Sequence, residues 1–130
     1  MKRIMIVDDE PDTQYLFSRK FKKQLKEGQI EFVFAMSANE ALSYLESQEN
    51  LFIDLVICDI NLPEMNGLEL LKKIKEKDPN INVFILTAHG YDENYKLAKE
   101  SGASEYLVKP IDFAQLKEKL FNLELIYKLN

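Results

Sequence analysis

The stretch DLVICDINLPEMNG, residues 54–67, decides the fold. Leu55, Val56, Ile57 and Cys58 form an apolar run with no polar alternation, the pattern of a strand buried on both faces of a parallel sheet. Asp59 closes the run, and an acid at the carboxyl end of such a strand lies where open α/β sheets bind their ligands. Pro63 and Gly67 punctuate a short loop, and Asn66 with Glu69 predicts a capped start for the next helix.

Outward from this stretch, three further runs end in residues that carry chemistry. Lys2–Val7 delivers Asp8, Asp9 and Glu10; residues 81–86 deliver Thr87; residues 104–108 deliver Lys109, followed by Pro110. A fifth run, Ile30–Ala35, completes the set of strands. Between the strands the apolar period changes to that of a helix. Pro11 suits a helix start, Phe17, Phe21 and Leu25 with Leu16 alongside give it a core-facing stripe, and Gly28 stops it. Ser37 and Glu40 form a capping box ahead of Ala41, Leu42 and Leu45. Leu68, Leu71 and Ile74 mark the next helix, ended by Asp78 and Pro79. A helix over residues 91–100 follows Thr87 and Gly90 and is capped by Gly102, and Asp112 caps a last one striped by Phe113, Leu116, Leu120 and Leu123.

Five strands alternating with five helices predict an α/β fold: one doubly wound five-stranded parallel sheet in the flavodoxin-like order 2-1-3-4-5, with helices on both faces. The first and third strands are then neighbours at the switch point, so Asp8 and Asp9 face Asp59 across it. Three carboxylates, one hydroxyl and one ammonium converge on one sheet edge.

The bulk properties narrow the choice. A chain of 130 residues fits one domain, 1–130, and buries about two-thirds of its unfolded surface. One Cys excludes an intramolecular disulfide, the N-terminus has no signal-peptide core, and no apolar run approaches the ~18 residues of a membrane span. A cytoplasmic protein without membrane contact is expected. The net charge of −5 arises wholly in residues 1–65, with 7 basic against 12 acidic residues; residues 66–130 balance at 10 each. That surplus suits a divalent-cation site and disfavours direct nucleic-acid binding. The basic residues Arg19, Lys20, Lys22, Lys23 and Lys26 read as a solvated helix face.

Asp8 with Asp9, Asp59 with Pro63 and Gly67, Thr87 with Ala88, and Lys109 with Pro110 occur in this order along the chain, which thereby resembles the receiver domain of two-component response regulators over essentially its whole length. The resemblance implies a signalling switch that takes a phosphoryl group from a histidine kinase or phosphotransfer protein onto Asp59 with the help of Mg2+. It implies that Asp9, Asp59 and the backbone carbonyl of Asn61 ligate the metal, with Asp8 acting mainly through a bound water. Lys109 and Thr87 would meet the phosphoryl oxygens. Asn61 and His89 would flank the group and influence its lifetime, and the Lys109–Pro110 bond would be cis. Tyr106 would swing inward as Thr87 moves, its inward position being a minor population beforehand, and so reshape a surface for a downstream output protein or a phosphorylation-dependent homodimer.

By this reading the chain catalyses its own aspartyl phosphorylation and dephosphorylation, turns over no metabolite, and carries no output domain. Two alternatives stand beside it: a small-metabolite phosphohydrolase with Asp59 as transient nucleophile, and a receiver-like interaction module that is not phosphorylated. Cys58 reads as a small core residue and His89 as an exposed loop residue.

Overall fold

The computed structural model describes residues 1–47, 52–88 and 93–127. In chain order its elements are β1 (Lys2–Val7), α1 (Pro11–Lys20), α2 (Lys22–Lys26), β2 (Ile30–Ala35), α3 (Ala38–Glu46), β3 (Leu55–Asp59), α4 (Gly67–Lys77), β4 (Asn82–Thr87), α5 (Glu93–Glu100), β5 (Glu105–Val108) and α6 (Phe113–Asn122). The strands form one parallel sheet in the order β2-β1-β3-β4-β5, as the alternation of elements predicted. All five residues of β3 are buried, because helices cover both faces of the sheet.

Strand alternation divides the core in two. Met5, Val7, Val56, Cys58, Val83 and Ile85 point to one face and pack with Leu70, Leu71 and Ile74 of α4 and Ala98 of α5. Ile4, Ile6, Leu55, Ile57, Phe84 and Leu86 point to the other and pack with Phe17, Phe21, Leu116 and Leu120. The expected caps form: Ser37 accepts from the Glu40 N–H at 3.1 Å, Asn66 from Glu69 at 2.9 Å and Asp112 from Gln115 at 3.1 Å. No helix of the described residues is long and apolar enough to cross a membrane.

Several elements depart from expectation. The first helix bends at Phe21 (φ −106°, ψ 19°) and divides into α1 and α2, although Phe21 N–H still bonds Phe17 O at 3.0 Å and Leu25 N–H bonds Phe21 O at 2.9 Å. At the bend Phe21 joins Phe17, Phe32 and Phe113 in a cluster of edge-on and stacked rings, so tertiary packing overrides a regular turn. The stripe shifts phase there: Gln24 is buried, Leu25 is half-buried, and Leu16 lies exposed. In α4 the wholly buried Leu70 takes the place expected for Leu68, which is half-buried. Residues 91 and 92, the expected start of α5, and Gly90 lie outside the described residues. Beyond α6 the backbone turns left-handed at Glu124 (φ 62°), and Leu125 and Ile126 fold back into the core, where Tyr127 N–H bonds Gln29 Oε1 at 2.8 Å.

Gln24 is wholly buried, and neither its amide nitrogen nor its amide oxygen has a hydrogen-bond partner among the described residues. A buried amide without partners costs about 1–3 kcal/mol. Gln24→Met, which keeps an unbranched side chain of similar size, is expected to raise stability by about 1–2 kcal/mol and the thermal midpoint by a few degrees. Calorimetry checks this, and an unchanged or lower midpoint contradicts it.

Candidate functional site

Sheet register brings the chemistry together. Val7 pairs with Cys58, so the residues that follow, Asp8 and Asp59, leave adjacent strands at one level. Asp59 pairs with Leu86, which sets Thr87 one step beyond, and Thr87 pairs with Val108, which sets Lys109 one step further. The steps are tied by Ile60 N–H to Leu86 O at 2.9 Å and Lys109 N–H to Thr87 O at 2.7 Å. The Lys109–Pro110 peptide bond is cis.

Within this edge Lys109 is the central cation. Its Nζ donates to Asp59 Oδ2 at 2.6 Å and to Asp8 Oδ2 at 3.4 Å, while Asp8 and Asp59 are only 2% and 5% exposed. Burial by itself would lower the lysine pKa. The hydrogen bond and charge of Asp59, with those of Asp8, outweigh it and hold Lys109 above the ordinary lysine value. Because the folded-state pKa is raised, the contribution of this ammonium to stability is fully present at neutral pH and is lost only in the alkaline range. The neighbouring Cys58 thiol is buried, and desolvation first, then the charges of Asp59 and Asp8, push its pKa far up. It is a neutral core group whose Sγ donates to Asp59 O at 3.3 Å, not a nucleophile.

Each carboxylate is also held by the chain. Asp59 Oδ1 accepts from the Asn61 N–H at 2.9 Å. Asp8 Oδ1 accepts from the Glu10 N–H at 2.9 Å, and Asp8 Oδ2 from the Thr13 hydroxyl at 3.0 Å. In the loop after Asp59, Glu64 adopts a left-handed backbone (φ 68°) while its Oε2 accepts from Asn39 Nδ2 at 2.6 Å. Neither Thr13 nor the Asn39–Glu64 pair was singled out from the sequence, since nothing local to them signals a contact with another element.

Oxygen atoms of Asp8, Asp9 and Glu10 come within 4.8 Å of one another, with Asp8 buried and the other two exposed. A set of hard carboxylate oxygens fits Mg2+, which takes one or two carboxylates and keeps several waters. The grouping adds Glu10 to the expected acids, whereas Asp59 is engaged by Lys109. Thr87 is wholly buried at the end of β4. Tyr106 is buried at 7% exposure, edge-on to Tyr95 with ring centroids 5.4 Å apart. Beside it a cleft of about 270 Å³ is lined by Tyr95, Glu105, Val108, Gln115 and Lys119 among others. His89 lies outside the described residues.

The family model of the response regulator receiver domain matches residues 4–121. Sporulation initiation phosphotransferase F of Bacillus subtilis is 34% identical over 117 residues, covering 90% of this chain and 89% of that protein. The transcriptional regulatory protein ZraR of Klebsiella oxytoca is 45% identical over 80 residues, 62% of this chain and 18% of that regulator, so the chain corresponds to a small part of such proteins. Among solved structures, the response regulator TrrA of Thermotoga maritima in complex with Mg2+ and BeF has a TM-score of 0.77 at 36% identity and covers 95% of this chain and 99% of its own.

Proposed function

The chain belongs to the response regulator receiver domain family, and from that premise we propose that residues 1–130 act as one phosphorylation-controlled switch with Asp59 as the phosphoryl acceptor. The observation that carries the reading is Asp59 itself, a buried carboxylate with Lys109 Nζ at 2.6 Å and Asp8 at the same level of the adjacent strand. An Asp59 oxygen attacks the phosphorus of a phosphohistidine on a histidine kinase or phosphotransfer protein. A P–O bond forms, the P–N bond breaks, and the imidazole leaves with the electron pair. Lys109 holds the phosphoryl oxygens on one side and the Thr87 hydroxyl on another. Asp9, Asp59 and the carbonyl of Asn61 would hold Mg2+, with Asp8 assisting through a bound water; when bound, the ion neutralises charge on the acids and the phosphoryl group. Asp9→Asn is accordingly expected to weaken Mg2+ binding more than Asp8→Asn.

The test is incubation with acetyl phosphate and Mg2+, read by intact mass. A single persistent phosphoryl adduct supports a switch. Continuous release of phosphate without an adduct would favour a phosphohydrolase, and no reaction a pure interaction module.

Output follows from the same group. Phosphorylation adds about −1.5 to −2 charges at Asp59, and Thr87 is the hydroxyl placed to respond. Its movement alters the space under β5 and with it Tyr106 and the cleft between α5 and α6, where a downstream protein or a second copy would bind. Beryllofluoride is therefore expected to change the NMR environment of the Tyr106 ring in the wild type and to leave it unchanged in Thr87→Ala. Equal changes in both proteins would remove this route.

A further inference from the structure

We infer that Thr13 is a positioning residue for the divalent cation, its hydroxyl fixing the Asp8 carboxylate in the orientation that the cation needs. This rests on the Mg2+ reading above. Asp8 is 2% exposed, and a carboxylate so buried must have its oxygens satisfied. One oxygen is held by its own turn, through the Glu10 N–H at 2.9 Å. The other faces two donors on different elements: the Thr13 hydroxyl at 3.0 Å and Lys109 Nζ at 3.4 Å.

Thr13 lies in the first turn of α1, where a hydroxyl commonly serves its own helix by capping or by bonding back to a carbonyl. The cap position of α1 is Glu10, which makes no side-chain cap hydrogen bond, and the Thr13 hydroxyl points its single donor to Asp8 on β1 instead. With a donor on each oxygen the carboxylate cannot turn about its terminal bond, so its remaining lone pairs keep one direction. Mg2+ tolerates little departure from octahedral geometry, so the direction of an acid beside it matters to affinity. The same bond divides the work of Lys109. By occupying Asp8 Oδ2, Thr13 leaves the ammonium on Asp59, where its contact is shorter by 0.8 Å.

Partners that hold a ligating residue change metal affinity by about 10–100-fold when deleted, and because Asp8 reaches the ion through a water the effect of Thr13 is expected at the lower end of that range. Thr13→Val keeps the shape of the side chain and removes the donor; it is expected to weaken Mg2+ binding about tenfold in calorimetric titration of the whole chain. Thr13→Ser restores the hydroxyl and should bind within about twofold of the wild type. Thr13→Ala removes the same hydroxyl without a branched replacement and must reproduce the loss. In an Asp8→Asn background, Thr13→Val should cost no more than about twofold further, since the two residues act as one unit. Wild-type affinity in Thr13→Val and Thr13→Ala, or the same loss in both backgrounds, overturns the role of Thr13 while leaving the cation site intact. A wild type that binds no Mg2+ overturns both.

Discussion

Asp59→Asn is expected to take up no phosphoryl group from acetyl phosphate and Mg2+ under conditions that modify the wild type fully. The reason is chemical before it is structural. A carboxamide keeps the shape of the side chain but loses the anionic oxygen that attacks phosphorus, and neither of its buried neighbours, Cys58 and Asp8, is a ready substitute. Cys58 is a neutral buried thiol, and Asp8 is occupied by Thr13 and Glu10. The fold should survive, because removing one of the clustered acids relieves repulsion and Lys109 retains Asp8 within 3.4 Å. Intact mass paired with a thermal melt checks both halves. Full modification of a folded Asp59→Asn protein would show that the acceptor lies elsewhere.

Gly67→Ala is expected to destabilise the chain by about 2–3 kcal/mol and to impair phosphoryl uptake as well. In a helix the exchange of Gly for Ala ordinarily stabilises by about 0.5–1 kcal/mol. Here the sign reverses. A Cβ on Gly67 would lie 2.5 Å from Asp59 O and 2.8 Å from Ile60 Cα, both backbone atoms that no side-chain rotation can clear. The first turn of α4 is held against the end of β3 by Gly67 N–H to Ile60 O at 2.9 Å, so relief requires moving the helix or the strand end that carries Asp59. Denaturant titration measures the first effect and acetyl phosphate labelling the second. A gain in stability would contradict the contact.

What the sequence by itself determined is what local periodicity and local chemistry encode. The buried run Leu55–Asp59, the apolar runs of the other strands and the caps at Ser37, Asn66 and Asp112 specify the five-stranded sheet, because hydrogen bonds and side-chain direction repeat within a few residues. The strand order then carries Asp8, Asp59, Thr87 and Lys109 to one edge, so the meeting of these four residues was legible before its geometry. Glu10 was visible as an acid at the end of β1, but its approach to Asp8 and Asp9 depends on how the loop before α1 turns. Only the tertiary structure decided which groups touch. Lys109 meets Asp8 across 101 residues of chain and Asp59 across 50, and choosing the shorter bond to Asp59 is a matter of tenths of an ångström. The bend at Phe21 comes from rings contributed by α1, β2 and α6, and the burial of Leu125 and Ile126 from a turn past the last periodic residue. Gly67 reads in sequence as loop punctuation, yet its requirement is the close approach of α4 to β3. Thr13 carries no signal in its neighbours at all, because its partner is set by the angle at which α1 leaves the sheet. Such contacts are fixed by packing between distant elements, and a one-dimensional pattern has no term for them.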